Sequence, residues 1–330
     1  MSADLLKAAP SNINPFDLVS ASQESLPRVY RLNYLVHDQF DFDLFRFTGL
    51  IYTDQASFRV KWNASTSETE LRRGDLVSPK WIARPAGRKG SYSVKGLMPI
   101  RSSDASVNLF NLVPDWRVKD RGLLNAAANI VGSLPISYRA LLNEIFWNDG
   151  RFGRYCTVPS SMNGHHKGHN GTLYHSVQMA IMAQELRKTT CMNNPDLLVL
   201  ACLLHDCGKA DEYVQNHYKQ WRLTDRGKLL GHGVTAIEWI AKAYENASIK
   251  MSEMEYEALL HMLTCSRSAP EWLGIRKPAF LEAYLLSNLD QISGVDDLTH
   301  VDCQEAGWGR YHPHLRTQPY RLQIGASTIS

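Results

Sequence analysis

Residues 195–209 read PDLLVLACLLHDCGK, and this stretch decides the fold of the region around it. Eight consecutive apolar residues, 197–204, run directly into the adjacent pair His205 and Asp206, with Lys209 just beyond. The length and composition suit a buried helix. A helix that spends an inward position on a His or Asp incurs a desolvation cost unless the group is paired or ligates a metal. On a helix the two adjacent residues lie about 100° apart, so both can reach an ion packed against its face. Lys209, one turn beyond Asp206, is placed either to meet a substrate phosphate or to pair with Asp206 or Asp211.

The same pattern recurs outward from this stretch. From Thr172 onward helical spacing runs through LYHSVQMAIMAQELRK (173–188), GVTAIEWIAKAY (233–244), EYEALLHMLT (255–264) and PAFLEAYLLSNLDQISG (278–294). These stretches and their edges carry His175, His232, His261 and Asp290. A lone histidine of this kind is ordinarily a hydrogen-bonded core residue, but several helices each offering one ligand point to a metal. Imidazole nitrogen with carboxylate oxygen suits Mn, or else Fe, Co, Ni or Zn, and a set without thiolates reads as a catalytic centre rather than a structural zinc. Upstream, GLLNAAANIVGSL (122–134) and ISYRALLNEIFWND (136–149) read as two further helices, with Ser137 offering an N-cap.

Before residue 100 the signal changes period. FRFTGLIYTD (45–54) and ASFRVKWNAS (56–65) alternate apolar and polar residues and read as a hairpin. DLVSPKWIA (75–83), after an Arg-Arg-Gly-Asp turn at 72–75, and YSVKGLMPI (92–100) add further strands. Four or five short strands suggest a small OB-like barrel. Residues 59–95 hold nine Lys and Arg against three acids. The cations Arg59, Lys61, Arg72, Arg73, Lys80, Arg88 and Lys89, with the rings of Trp62 and Trp81, make the combination that single-strand binders use. The alternative is that the rings fill the barrel core and the charges are a solvated face.

The fold class is therefore α+β and multidomain. The expected plan is an N-terminal extension over 1–40, the barrel over 41–100, a helical connector over 101–150, a metal-dependent helical domain over 151–300 and a tail without clear period over 301–330. The whole chain has 330 residues, 36 Lys and Arg against 33 Asp and Glu, and 44% hydrophobic residues, which excludes a disordered or fibrous protein. Neither a spanning apolar run nor a secretory leader is present, so a soluble, cytoplasmic protein with no membrane partner is expected. The six cysteines form no CxxC pair and read as reduced thiols.

The order His175, His205-Asp206, Asp290 resembles the signature of the HD-domain metal-dependent phosphohydrolases. Within them it is most similar to the YhaM type, 3′→5′ exoribonucleases that couple an OB-fold to an HD domain. The similarity extends over roughly residues 40–295 and includes YRALLNEIF (138–146), PSSMNGHHKGHNGTLYHSV (159–177), LLHDCGKADEY (203–213), TDRGKLLGH (224–232) and EAYLLSNLDQISG (282–294). The segment at 159–176 also resembles the HD-type (MOBH) relaxases, which process DNA.

The resemblance implies one metal site of His175, His205, Asp206 and Asp290, with His232 and His261 tending toward a second, and one or two ions in all. It also implies that His165 and His166 bind metal or substrate phosphate, against the plainer reading of an exposed polar loop. The family commonly has a His-His pair about five residues after His261. Here Ser266 and Arg267 stand in its place, and Arg267 could supply a fixed positive charge to the phosphate. The implied activity is phosphodiester hydrolysis by a metal-bound hydroxide, acting as a 3′→5′ exonuclease on single-stranded RNA or DNA, with Asp206, Lys209, His232 and Arg267 as catalytic candidates. The other readings are a relaxase-like protein, a small-nucleotide phosphohydrolase and a non-catalytic single-strand-binding module. Homo-oligomerisation is a further expectation.

Overall fold

The computed structural model describes residues 26–42, 44–65, 70–83, 85–147, 149–302 and 306–322. Most of the expected N-terminal extension, Arg84 and the end of the tail lie outside them. The chain divides into two compact units, one running to Arg154 and also taking in 240–251, the other comprising 155–239 and 252 onward.

The first unit contains a closed five-stranded barrel of β1 (Tyr30–Asp41), β2 (Leu44–Tyr52), β3 (Ser57–Ala64), β4 (Leu76–Trp81) and β5 (Lys89–Pro99). Its order is β1-β2-β3-β5-β4, closed by β1 pairing with β4, with β3 and β5 parallel and the other pairs antiparallel. This is the Greek-key arrangement of an OB-like barrel. Alternation places Phe47 and Ile51 of β2 and Phe58, Val60 and Trp62 of β3 inside, where they meet Tyr30, Leu32, Val77, Val94 and Leu97. Pro79, which cannot donate to a ladder, sits where the β4–β5 register shifts.

The barrel begins earlier than its sequence suggests. β1 falls within the stretch expected to be an extension, because the β1–β2 register shifts between Leu32 and Tyr34 and interrupts the two-residue period. The expected connector also belongs to this unit. Its helices are Arg121–Ser133, capped by the Asp120 carboxylate accepting from the Leu123 N–H, and Ile136–Phe146. The second helix has no side-chain cap; Pro135 holds the N-cap position, and Ser137 already lies in the first turn.

Trp62 is 4% exposed, and its ring stacks on Phe47 at 5.2 Å, directly across the β2–β3 ladder. It is therefore core and unavailable to stack on a base. Trp81 is half-buried and meets Tyr30, Phe58 and Tyr92 edge-on. The expectation that Trp62 stacks on a base is thus corrected, because period-2 alternation turns its ring into the core. We expect Trp62→Ala to destabilise the protein by about 3–5 kcal/mol in urea unfolding. An unchanged midpoint would contradict its place in the core.

In the second unit the helix Pro195–Leu204 is buried on all sides, which explains its unbroken apolar run. Helices Gly171–Leu186, Glu253–Thr264 and Leu281–Asp302 pack against it. It ends at Leu204, so His205 and Asp206 occupy the turn that follows rather than the helix body, before a short helix Lys209–Glu212. Helix Gly231–Asn246 opens beside His232. Two small ladders went unforeseen, Tyr213–Gln215 with Trp221–Leu223 and, in the tail, Gly307–Trp308 with Tyr320–Arg321. Among the described residues no helix is long and apolar enough to cross a membrane, and the five described cysteines are free thiols.

Candidate metal centre

His175, near the start of helix Gly171–Leu186, is fully buried. Its Nε2 lies 3.2 Å from His205 Nε2, 3.1 Å from Asp290 Oδ1 and 3.7 Å from Asp206 Oδ2. His205 Nε2 is 3.4 Å from Asp206 Oδ2, and His232 Nε2 is 3.4 Å from Asp206 Oδ1. Three imidazoles and two carboxylates therefore converge.

The far side of each ring assigns its tautomer. His205 Nδ1–H donates to the Cys202 carbonyl at 2.9 Å, and His232 Nδ1–H donates to the Glu212 carboxylate at 2.6 Å. The Ser293 hydroxyl donates to Gln178 Oε1 at 2.6 Å, so it accepts from His175 Nδ1–H at 2.8 Å. Each Nε2 is left with a lone pair facing its neighbours and the carboxylates. An acceptor-only cluster of this kind is repulsive unless a cation or a proton occupies it, and its donors suit a divalent ion of the Mn, Fe, Co, Ni or Zn group. His175, His205 and Asp206 each present one ligand atom within 4.8 Å of the others.

The electrostatics agree. Burial disfavours a proton on His205, yet Asp206 and Asp290 outweigh it and raise its pKa. Burial lowers the pKa of His175. Burial also opposes charge on Asp206, but Lys209 and His205 hold it well below the ordinary carboxylate range. Asp290 is likewise lowered, the opposing effect of its burial outweighed by the His175 and His205 imidazoles beside it.

The Lys209 amine is buried and donates to Asp206 Oδ2 at 2.5 Å and to Ser160 Oγ at 3.1 Å. It is thus tied to the carboxylate that anchors the cluster, which was the plainer of its two readings. His165 and His166 are not an exposed loop pair. Their rings lie 4.8 and 5.4 Å from His175, and the three form a second possible ligand group that shares it. His166 Nε2 lies 3.2 Å from Ser293 Oγ, and its backbone N–H donates to Asp297 Oδ2 at 2.6 Å. Burial lowers the His166 pKa to about 4, and burial followed by the neighbouring His166 lowers that of His165. His165 Nδ1 is buried with no hydrogen-bond partner, an orphan that a bound ligand would satisfy.

Two expected residues stand apart. His261 Nε2 accepts the Ala279 N–H at 3.0 Å and its ring lies against Phe280, so that nitrogen serves the backbone instead of a metal. Arg267 donates to the Tyr284 carbonyl and to Asn288 Oδ1, with its guanidinium over the Tyr284 ring, and is accordingly engaged with helix Leu281–Asp302.

Glu212, Ser293, Gln178 and Asp297 were missed. Spacing carried a signal for three of them, because Gln178 follows His175 by one turn, Ser293 follows Asp290 by one turn, and Asp297 continues that face. Close backbone approaches were not visible in sequence. A Cβ on Gly208 would lie 2.1 Å from the His232 carbonyl oxygen, and one on Gly171 would lie 2.0 Å from that of His166.

In the first unit, Arg59, Lys61, Arg72, Arg73, Lys80, Arg88 and Lys89 are all exposed. Arg59 and Lys89 share a cleft of about 600 Å³ with Tyr52 and Trp116, a residue outside the expected set. The guanidiniums of Arg73 and Arg117 lie 4.4 and 4.9 Å from the centre of the Trp116 ring.

Residues 172–288 match the HD domain family model, which stops two residues short of Asp290. Over 139 residues the chain is 32% identical to the 3′-5′ exoribonuclease YhaM of Geobacillus sp. (strain WCH70), covering 42% of each chain. The Bacillus licheniformis protein of that name is 30% identical over 146 residues, 43% of this chain and 44% of the relative. The Oceanobacillus iheyensis one is 32% identical over 139 residues, 41% of this chain and 42% of the relative. The chain thus matches about two-fifths of the length of these relatives. No solved structure matches it significantly.

Proposed function

We propose that this chain, whose residues 172–288 are an HD domain, is a divalent-metal-dependent phosphodiesterase that shortens single-stranded RNA from its 3′ end. The observation that carries the reading is the convergence of His175, His205 and His232 Nε2 with Asp206 and Asp290, each Nε2 turned inward by a partner held at Nδ1 behind it. RNA is favoured over DNA, and the 3′ end over the 5′, by the exoribonuclease relatives of the HD region.

His175, His205, Asp206 and Asp290 would hold the ion, Mn being the first candidate, with His232 completing the set from Asp206's other oxygen. A divalent ion in such a site polarises a phosphoryl oxygen and makes water acidic enough to lose a proton near neutral pH. Lys209 keeps Asp206 ionised and oriented. Glu212 fixes the His232 ring so that its Nε2 can take a proton or a ligand position. As the neutral imidazole that burial favours, His165 would use its unpartnered Nδ1–H to donate to a phosphate oxygen of the substrate. The exposed cations of the barrel would hold the strand by its phosphates, and this contribution should weaken steeply with salt.

The division of labour is testable. Replacing Arg59, Lys61 and Lys89 together by glutamate should weaken binding of a long single-stranded RNA about tenfold or more at low salt and flatten its salt dependence. Hydrolysis of bis(p-nitrophenyl) phosphate in Mn²⁺ should be unaffected. Equal losses on both substrates would refute separate roles for the barrel and the metal site.

A further inference from the structure

Trp62 lies in the barrel core and Trp81 packs edge-on against Tyr30, Phe58 and Tyr92, which leaves these two rings little free face for a base. The C-terminal tail supplies such a face. Residues 307–321 fold back as a hairpin-like arm in which Gly307 pairs with Arg321, Trp308 with Tyr320, and His312 bridges Thr317. The Gly309 N–H donates to the Pro319 carbonyl at 2.7 Å and the His312 N–H to the Thr317 carbonyl at 3.0 Å. His312 and Pro319 are buried and anchor the arm. Trp308 at 72%, Tyr311 at 59% and Tyr320 at 54% exposure present their rings to solvent, with the Trp308 and Tyr320 rings 4.9 Å apart.

Three large rings on a short exposed arm mark an interaction surface. Its charge selects the partner. Residues 306–322 contain Arg310, Arg316 and Arg321 and no Asp or Glu, and all three arginines are exposed. Two copies of this arm meeting face to face would oppose like charges, whereas a polyanion with planar bases satisfies both features at once. The arm also lies near the metal cluster. A Cβ on Gly164 would be 3.8 Å from His314 Cε1, and Gly164 immediately precedes His165 and His166.

We infer that residues 306–322 form a stacking arm for single-stranded nucleic acid, in which Trp308, Tyr311 and Tyr320 carry bases and the arginines carry phosphates beside the loop of His165 and His166. The inference rests on the reading of the substrate as a single strand. Nothing in the barrel is required for it.

The test uses the full chain with Trp308, Tyr311 and Tyr320 all changed to alanine, and a fluorescent oligouridylate in Ca²⁺ as the probe. Anisotropy should show binding weakened at least about tenfold, the loss expected when stacking rings are removed. Hydrolysis of bis(p-nitrophenyl) phosphate in Mn²⁺ and the mass by light scattering should stay as in the parent, showing that the fold is intact. Should the triple variant fail to fold, R310E/R321E reads the same surface, with weaker binding and a flatter salt slope expected. Parent-like RNA affinity in a folded variant would overturn the arm's role. A fall in mass with unaltered RNA affinity would make the arm a self-association surface instead. A parent protein that hydrolyses the small ester yet binds no single strand would overturn the substrate reading itself, and the arm's role with it.

Discussion

Asp206→Ala should abolish both divalent-ion binding and phosphodiester hydrolysis while destabilising the fold. One carboxylate serves five partners, the Ser160 hydroxyl donating to its Oδ2 at 3.4 Å being one. Its Oδ2 accepts from Lys209 at 2.5 Å and faces His205 and His175, and its Oδ1 faces His232. Outer-shell changes around metal sites already cost roughly 10–100-fold, so loss of a ligand should remove activity by about a thousandfold or more. The alanine variant also leaves the Lys209 ammonium buried without its carboxylate, which should cost about 3–5 kcal/mol. The double change Asp206→Ala with Lys209→Met removes the stranded charge. It should recover much of the stability and none of the ion binding. Calorimetric Mn²⁺ titration and urea unfolding measure the two effects separately. Full Mn²⁺ affinity in Asp206→Ala would show that the ion is held elsewhere.

Gly208→Ala should be nearly as damaging, although it adds a single carbon. Gly208 has φ −64°, a conformation any residue adopts, and helix propensity there favours alanine by about 1 kcal/mol. Steric overlap opposes this, since the new Cβ would lie 2.1 Å from the His232 carbonyl oxygen and 2.9 Å from the Ala236 nitrogen. Both are backbone atoms of helix Gly231–Asn246. The helix can retreat only by drawing His232 away from Asp206 and Glu212. We expect a loss of about 3 kcal/mol, at the upper end of overpacking, together with weakened Mn²⁺ binding. Gly132→Ala is the control, because nothing lies within 4 Å of its Cβ, and it should be neutral or stabilising by up to about 1 kcal/mol. Parallel behaviour of the two variants would mean that the close approach at Gly208 is unimportant.

These residues also mark what could be read from sequence. Period-2 alternation located β2 and β3, and the isolated His and Asp positions marked the residues that converge in the His/Asp cluster, because burying such a group requires a reason visible in one dimension. The inward rings of Trp62 and Phe58 followed from that same alternation, but a basic segment rich in aromatics invites a binding reading until the register is known. β1 escaped because its bulge at Leu32–Tyr34 shifts the period midway. His261 has the ligand pattern and a different duty, accepting a backbone N–H across the Ser266–Arg267 loop that only the fold brings to it. Glu212 and the approaches at Gly171 and Gly208 depend on which segments meet, and no local spacing encodes that.

The central claim is tested most directly by a time course on short single-stranded RNA, labelled in separate reactions at the 5′ and 3′ ends, with Mn²⁺ and with EDTA. The account predicts that 5′-labelled RNA shortens progressively and that 3′-labelled RNA releases its labelled nucleotide at once. Both should depend on the ion and be absent in Asp206→Ala. RNA that stays full-length in Mn²⁺ while remaining bound to the protein would contradict it.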